Sequence, residues 1–379
     1  DRAGNIAAIV NAAPVPLPSL MGGTSEHRYE YDELYRLVHG EGSYAFGSGK
    51  TREYRYDLVY DAAGNVVRKV QSDDILNANG KLNPQHETTY SHDYEYDGLP
   101  HQASRVGDHA YSYDANGNLL GRDNLGNRTR RDVTWDAQNR VTSVADQGST
   151  TDYRSNDENQ LAVERGPQGE TVFVNRYYTV RNGTVAWKHI WAGEDQVSTK
   201  REKDRRLFED QQYLLHKDLR GNVRIVTDTD GQIFEYHEYF PGGEGWIVEH
   251  SNTQRVPYRF LSAYFDEERA IYNLKARWYD PRDQVFHSTD PALEDSLDLV
   301  ASRPSLQSAY TYADNNPLRY VDREGRSPND ALIAHLEGRL LGGQSFTRQE
   351  RKTIIAKVQA HTGTGFRARL QKRLKRVGV

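Results

Sequence analysis

Aromatic, polar and aliphatic positions recur in one order along the first half of the chain. Tyr60-Asp61-Ala62-Ala63-Gly64-Asn65-Val66 returns as Tyr113-Asp114-Ala115-Asn116-Gly117-Asn118-Leu119. Looser copies are Trp135-Asp136-Ala137-Gln138-Asn139-Arg140-Val141 and Tyr31-Asp32-Glu33-Leu34-Tyr35-Arg36-Leu37. The pattern is aromatic, Asp, two variable residues, Gly or Asn, Asn or Arg, then aliphatic. Its chemistry is that of a hairpin. Asp caps a turn with its own side chain, and Gly or Asn accepts a positive φ. The aromatic and aliphatic residues then lie on opposing strands and pair across the turn. Strand-like sequence continues beyond the turn, as Val67-Arg68-Lys69-Val70 and Thr142-Ser143-Val144. One hairpin is not stable in water, so units stacked edge to edge predict a long continuous sheet. Copies begin at Asp1, Asp32, Asp61, Asp114 and Asp136, too irregularly for the equal blades of a propeller, the alternative alongside an ordinary sandwich. Residues 1–6 repeat the unit without its aromatic, so the chain reads as a fragment that opens inside a repeat.

Composition explains why such a sheet would be thin. Hydrophobic residues make up 36% of the chain, too few for one thick core. The 25 Tyr and 5 Trp argue against disorder, because Tyr is a strand residue with an apolar ring and a wet hydroxyl. There is no Cys, so stability comes from pairing and packing rather than from disulfides. No run approaches 18 apolar residues, the length of a membrane span. Charge is uneven. Residues 327–379 hold 11 Lys+Arg against 3 Asp+Glu, a net of +8; the whole chain is −5, which leaves −13 for residues 1–326.

Five further segments, taken with the repeats, resemble one known family. These are His216-Lys217-Asp218-Leu219-Arg220-Gly221-Asn222-Val223-Arg224; Tyr236-His237-Glu238-Tyr239-Phe240-Pro241-Gly242-Gly243; Tyr258-Arg259-Phe260 through Ala276-Arg277-Trp278-Tyr279-Asp280-Pro281; Phe286-His287-Ser288-Thr289-Asp290-Pro291; and Tyr310-Thr311-Tyr312-Ala313-Asp314-Asn315-Asn316-Pro317-Leu318-Arg319-Tyr320-Val321-Asp322. Together they resemble the YD repeats and core of Rhs proteins, of the BC component of Tc insecticidal toxins, and of teneurins. The resemblance covers residues 1 to about 326. It implies an all-β fold, with YD-repeat hairpins in a continuous sheet spiralling into a hollow shell, and a core plugging one end. The expected divisions are 1–255 for the repeat shell, 256–326 for the core, and 327–379 for a small helical C-terminal segment holding a toxin or its beginning.

The resemblance also implies a catalytic pair. In that family two DPxG-like motifs supply carboxylates that cut the chain just after the second motif. The matching residues are Asp290 and Asp322, with the cut expected between Arg326 and Ser327. The chemistry needs two carboxyls close enough to share a proton, one a base for water and the other an acid. Both motifs depart from the pattern. Asp290-Pro291-Ala292-Leu293 lacks its Gly, Asp322-Arg323-Glu324-Gly325 lacks its Pro, and Glu294–Leu306 looks like an insertion. The competing reading is that both Asp residues only cap turns. The 13 His are scattered without HExxH-like spacing, so no metal and no cofactor are expected.

After residue 326 the repeats stop and Tyr vanishes. Ser327-Pro328 resembles an N-cap with Pro at the first helical position. Ala331, Leu332, Leu336 and Leu340 follow at helical spacing to Gly342-Gly343. Thr347 and Glu350 form a capping-box pattern before Ile354, Ile355 and Val358. Phe366, Leu370 and Leu374 then share a face bordered by Arg367, Arg369, Lys372, Arg373 and Arg376, a basic amphipathic helix.

Three functions compete: a toxin-delivery casing, a teneurin-like or carbohydrate-binding adhesion module, and a free-standing enzyme. For the first, the partners implied are the chain's own C-terminal cargo, a secretion-system or Tc-type delivery component, and an immunity protein. A released basic tail would add nucleic acid or an anionic membrane. Such a protein would be secreted or delivered into target cells.

Overall fold

The computed structural model describes residues 4–77, 79–193, 195–202, 211–251, 256–291 and 308–326, with the backbone of 329–330. Twenty-two strands from Ala8–Asn11 to Gly245–His250 form one sheet. Each strand pairs antiparallel with the next in sequence. The one branch is at Val66–Leu76, which pairs with both Leu82–Pro84 and Tyr90–Glu95. A smaller four-stranded sheet spans Tyr264–Asp266 to Val285–Phe286. The described helical content is two short 3₁₀ turns, Phe260–Ser262 and Ala313–Asn315.

The repeat unit folds as one turn, used many times. Asp61 Oδ1 accepts the Asn65 N–H at 2.9 Å, and Asn65 Nδ2 donates to Asp61 Oδ2 at 2.9 Å. Asp114 does the same for Asn118, while Asp32 and Asp136 hold Arg36 and Arg140. The fourth loop position has positive φ whether it is Gly64, Gly117, Asn139 or Tyr35. Aromatic and aliphatic residues pair across each turn: Tyr31 with Leu37, Tyr60 with Val66, Tyr113 with Leu119, Trp135 with Val141. A register shift accompanies each of these pairs, adding local twist.

Further copies carry no aromatic at the first position. Among them are those that begin at Asn77, Asn156, Asp218 and Asp228, whose Oδ1 atoms accept the N–H groups of Lys81, Gln160, Asn222 and Gln232.

The tyrosines are drier than composition suggests. Tyr94 and Tyr111 are buried in a cluster with Ile271, Trp278 and Val285, and Tyr29, Tyr44, Tyr54 and Tyr56 in one with Tyr236, Phe240, Trp246 and Leu318. Two of their hydroxyls bond to distant parts of the chain: Tyr94 donates to the Asp283 carbonyl at 2.9 Å, Tyr44 to Glu249 at 2.9 Å. Apolar packing divides into four clusters among the described residues.

Segment 308–326 runs along the row of turns and bonds to their backbones. Tyr310 OH donates to the Gly117 carbonyl at 2.7 Å, Asn315 Nδ2 to Gly64 at 2.8 Å, and Asn316 Nδ2 to Tyr35 at 2.7 Å. To do so, Ala313, Asp314 and Asn315 all take positive φ, a strained run for L-residues that surrounding contacts must hold. One expectation is corrected here. Asn329–Asp330 pair with Tyr320–Val321 as a short strand, not as the first turn of a helix. The edge of Tyr320–Val321 supplies ladder bonds that a one-dimensional helix pattern cannot show. The remaining proposed tail helices, and Glu294–Leu306, lie outside the described residues.

Candidate active site

Arg277 follows the strand Ile271–Asn273 and precedes Trp278–Asp280, in the small sheet. Its guanidinium is buried, with its carbon 3.5 Å from the centre of the Phe286 ring. Its nitrogens reach three parts of the core. Nη2 donates to Asp290 Oδ2 at 3.0 Å and to Asp322 Oδ2 at 3.2 Å. Nη1 donates to the Ala309 carbonyl at 2.9 Å, and Nε to the Gly325 carbonyl at 2.7 Å. Asp290 and Asp322, 32 positions apart in sequence, therefore share one guanidinium nitrogen, and both are buried.

Electrostatics follow from that burial. Desolvation raises the Asp322 carboxyl above its usual range, opposed by Arg277 and by the N–H groups of Arg326 and Gly325. Burial also lowers the Arg277 guanidinium, against the pull of Asp290 and Asp322. A guanidinium starts so high that it stays charged, so Asp322 is the group biased toward taking a proton. Two buried carboxyls on one cation, one of them raised by burial, are placed to share a proton, as acid–base hydrolysis requires.

Asp322-Arg323-Glu324-Gly325-Arg326 is itself a repeat-type turn. Asp322 Oδ1 accepts the Arg326 N–H at 3.0 Å, and Gly325 has φ +64°. Arg323, which stands where the family pattern has Pro, donates from Nη2 to the Arg220 carbonyl at 3.0 Å, and its Nη1 lies 3.6 Å from Asp195. The turn is thereby tied to the large sheet. Gly325 is buried and Arg326 exposed; Ser327 lies outside the described residues. Arg277 received no role from the sequence, although it stands 13 positions before Asp290; only the fold brings it onto both carboxylates.

A second buried ionic cluster joins the small sheet to the large one. Asp283 lies 2.7 Å from His109, 3.5 Å from His92 and 3.4 Å from Arg122, and accepts from Tyr111. Arg122 also bonds Asp280 at 2.7 Å. Among the described residues, no group of three or more His, Cys, Asp or Glu is arranged to hold a metal ion. No described helix is long and apolar enough to cross a membrane.

No family model matches the sequence. A tRNA3(Ser)-specific nuclease WapA of Bacillus spizizenii is 28% identical over 287 residues, which is 71% of this chain and 11% of that protein. The toxin subunit YenC2 of Yersinia entomophaga is 22% identical over 88% of this chain and 37% of its own length. The TcdB2-TccC3-TEV crystal structure superposes with a TM-score of 0.65 at 17% identity, over 86% of this chain and 16% of that one.

The chain is similar to the YD-repeat shell proteins of the Rhs type.

This YD-repeat chain spans about a tenth of the length of the WapA relatives it matches. The Photorhabdus luminescens Tc holotoxin pore shares its fold as well, with a TM-score of 0.56 at 18% identity over 87% of this chain.

Proposed function

We propose that this chain is the closing part of a toxin-delivery casing, which holds a C-terminal cargo and cuts it loose by aspartic self-hydrolysis near Arg326. The observation that carries the reading is the convergence of Asp290 and Asp322 on Arg277, at the point where the repeat-type sequence gives way to a basic tail. The relatives support it, since they bear the names of toxins and toxin subunits. An acidic body of net −13 would attract a +8 segment, within a screening length of about 8–10 Å. Confinement would also suit a loosely folded cargo, because it removes unfolded states from the ensemble. Among possible targets for the freed tail, the tRNA nuclease names of the WapA relatives favour nucleic acid over an anionic membrane.

Limited trypsin digestion of the intact protein tests the casing. The 11 Lys and Arg of residues 327–379 are expected to resist cleavage for as long as the body survives. Rapid trimming of the tail from a stable body would overturn the casing and leave an outward-facing binding module.

A further inference from the structure

The fourth-position carbonyl of the repeat turn is a recurrent docking point. In four turns it accepts from a neutral donor: Tyr35 from Asn316, Gly64 from Asn315, Gly117 from Tyr310, and Gly221 from the Ser262 hydroxyl. In the Asp322 turn the equivalent carbonyl belongs to Gly325, and its donor is the charged Nε of Arg277 at 2.7 Å. Nε and Nη2 form one edge of the guanidinium. The carbonyl oxygen on Nε therefore sits beside the two carboxylates on Nη2. At the other end of the same peptide unit, the Arg326 N–H donates to Asp322 Oδ1 at 3.0 Å.

Glycine makes this approach possible. A Cβ at position 325 would lie 2.6 Å from the Leu274 carbonyl oxygen and 2.9 Å from the Arg277 nitrogen, so a side chain would lift the carbonyl away from Arg277. The Asp-to-N–H bond alone marks nothing, because six other Asp turns have it; what sets this turn apart is a charged donor on its carbonyl, where the four named above have neutral ones. We infer that the scissile bond is Gly325–Arg326, one residue before the position that family resemblance implies. This inference rests on the self-cleavage reading above.

The chemistry balances as a hydrolysis. Water adds to the Gly325 carbonyl carbon and passes one proton to the Asp290 carboxylate. The oxygen turns anionic against Arg277, whose fixed charge stabilises it more than the neutral carbonyl. The C–N bond then breaks, and the Arg326 nitrogen takes the proton carried by Asp322. The new Gly325 carboxyl passes its remaining proton to the Arg326 amine, so the products are a Gly325 carboxylate, facing Arg277, and an ammonium terminus at Arg326. The carboxyls finish with one proton between them, as they began.

N-terminal sequencing of the smaller fragment from the purified 379-residue chain tests this. The expected fragment begins at Arg326 and is absent from Asp322→Asn. A fragment beginning at Ser327 and absent from Asp322→Asn would overturn the inference while leaving self-cleavage standing. One beginning at Ser327 and persisting in that variant, as a trypsin-like contaminant would give, overturns both, as does a chain that stays whole. The sequence read from the unmodified protein decides the bond even if the variant folds poorly.

Discussion

Arg277 holds two carboxylates, two carbonyls and an aromatic face with one side chain. Its removal strands buried charge, and breaking a buried ion pair by deleting one partner costs roughly 3–5 kcal/mol. Arg277→Gln is therefore expected to lower the melting temperature markedly and to stop self-cleavage. Arg277→Lys keeps the charge but loses the planar fork; it should recover part of the stability and little of the cleavage rate. Thermal melts run beside a gel time course separate the two effects. Full activity in Arg277→Gln would remove the guanidinium from the mechanism. The sequence set this residue in a family-like segment but gave it no role. Asp290 and Asp322 were legible because each stands in a motif that resembles the family's DPxG pattern. Arg277 acts only through contacts across 13 and 45 positions, and its own neighbours, Ala276 and Trp278, carry no chemical signal.

At the scale of the element, the turn was the most legible feature, because its requirements are local. Asp must accept two kinds of N–H, and the fourth residue must tolerate positive φ. The copies at Asn156 and Asp228 escaped notice because Ser155 and Thr227 stand where the pattern has an aromatic. There Ser155 pairs with Leu161 and Thr227 with Ile233 across the turn, without a ring. The same locality sets a graded prediction. Gly64→Ala meets open space at φ +88° and should cost only the conformational strain, about 1 kcal/mol. Gly325→Ala meets backbone on two sides and should cost more, while also slowing the cut. Denaturant melts of the two variants provide the comparison, and equal losses would contradict the special packing assigned to Gly325.

For the whole molecule, the junction between the sheets is sensitive to acid. Burial lowers His92 and His189 to about 4 and His287 to about 3. Each is therefore neutral in the fold at a pH where the unfolded chain would carry a proton. Their stabilising contribution is complete above the unfolded value near 6.5 and is lost as pH falls from there toward 4. Glu164 works in the opposite sense. Burial and Asp266 raise it to about 7, so its neutral form supports the fold below 4.5 and that support is lost as pH rises through 7. Burial raises Glu244 and Asp322 in the same sense, so the slope of melting temperature between pH 6.5 and 4.5 sets three histidines against three carboxyls, with the histidines pulling stability down toward acid. His287→Gln should flatten that slope, and an unchanged slope would exclude His287 from it.

The all-β architecture was legible from the repeat because each unit needs a neighbour to bury its face. The path of segment 308–326 along the turns was not, since Asn315 and Asn316 find their partners about 250 and 280 positions away. The central claim is that the fold assembles a self-hydrolysing centre between repeat body and tail. Intact mass of the purified chain, read directly from its size-exclusion peak, tests it. The account predicts two co-eluting species divided next to Arg326, and one whole species in Asp322→Asn. A single species of 43.3 kDa from the unmodified chain, stable on prolonged incubation at neutral pH, would contradict it.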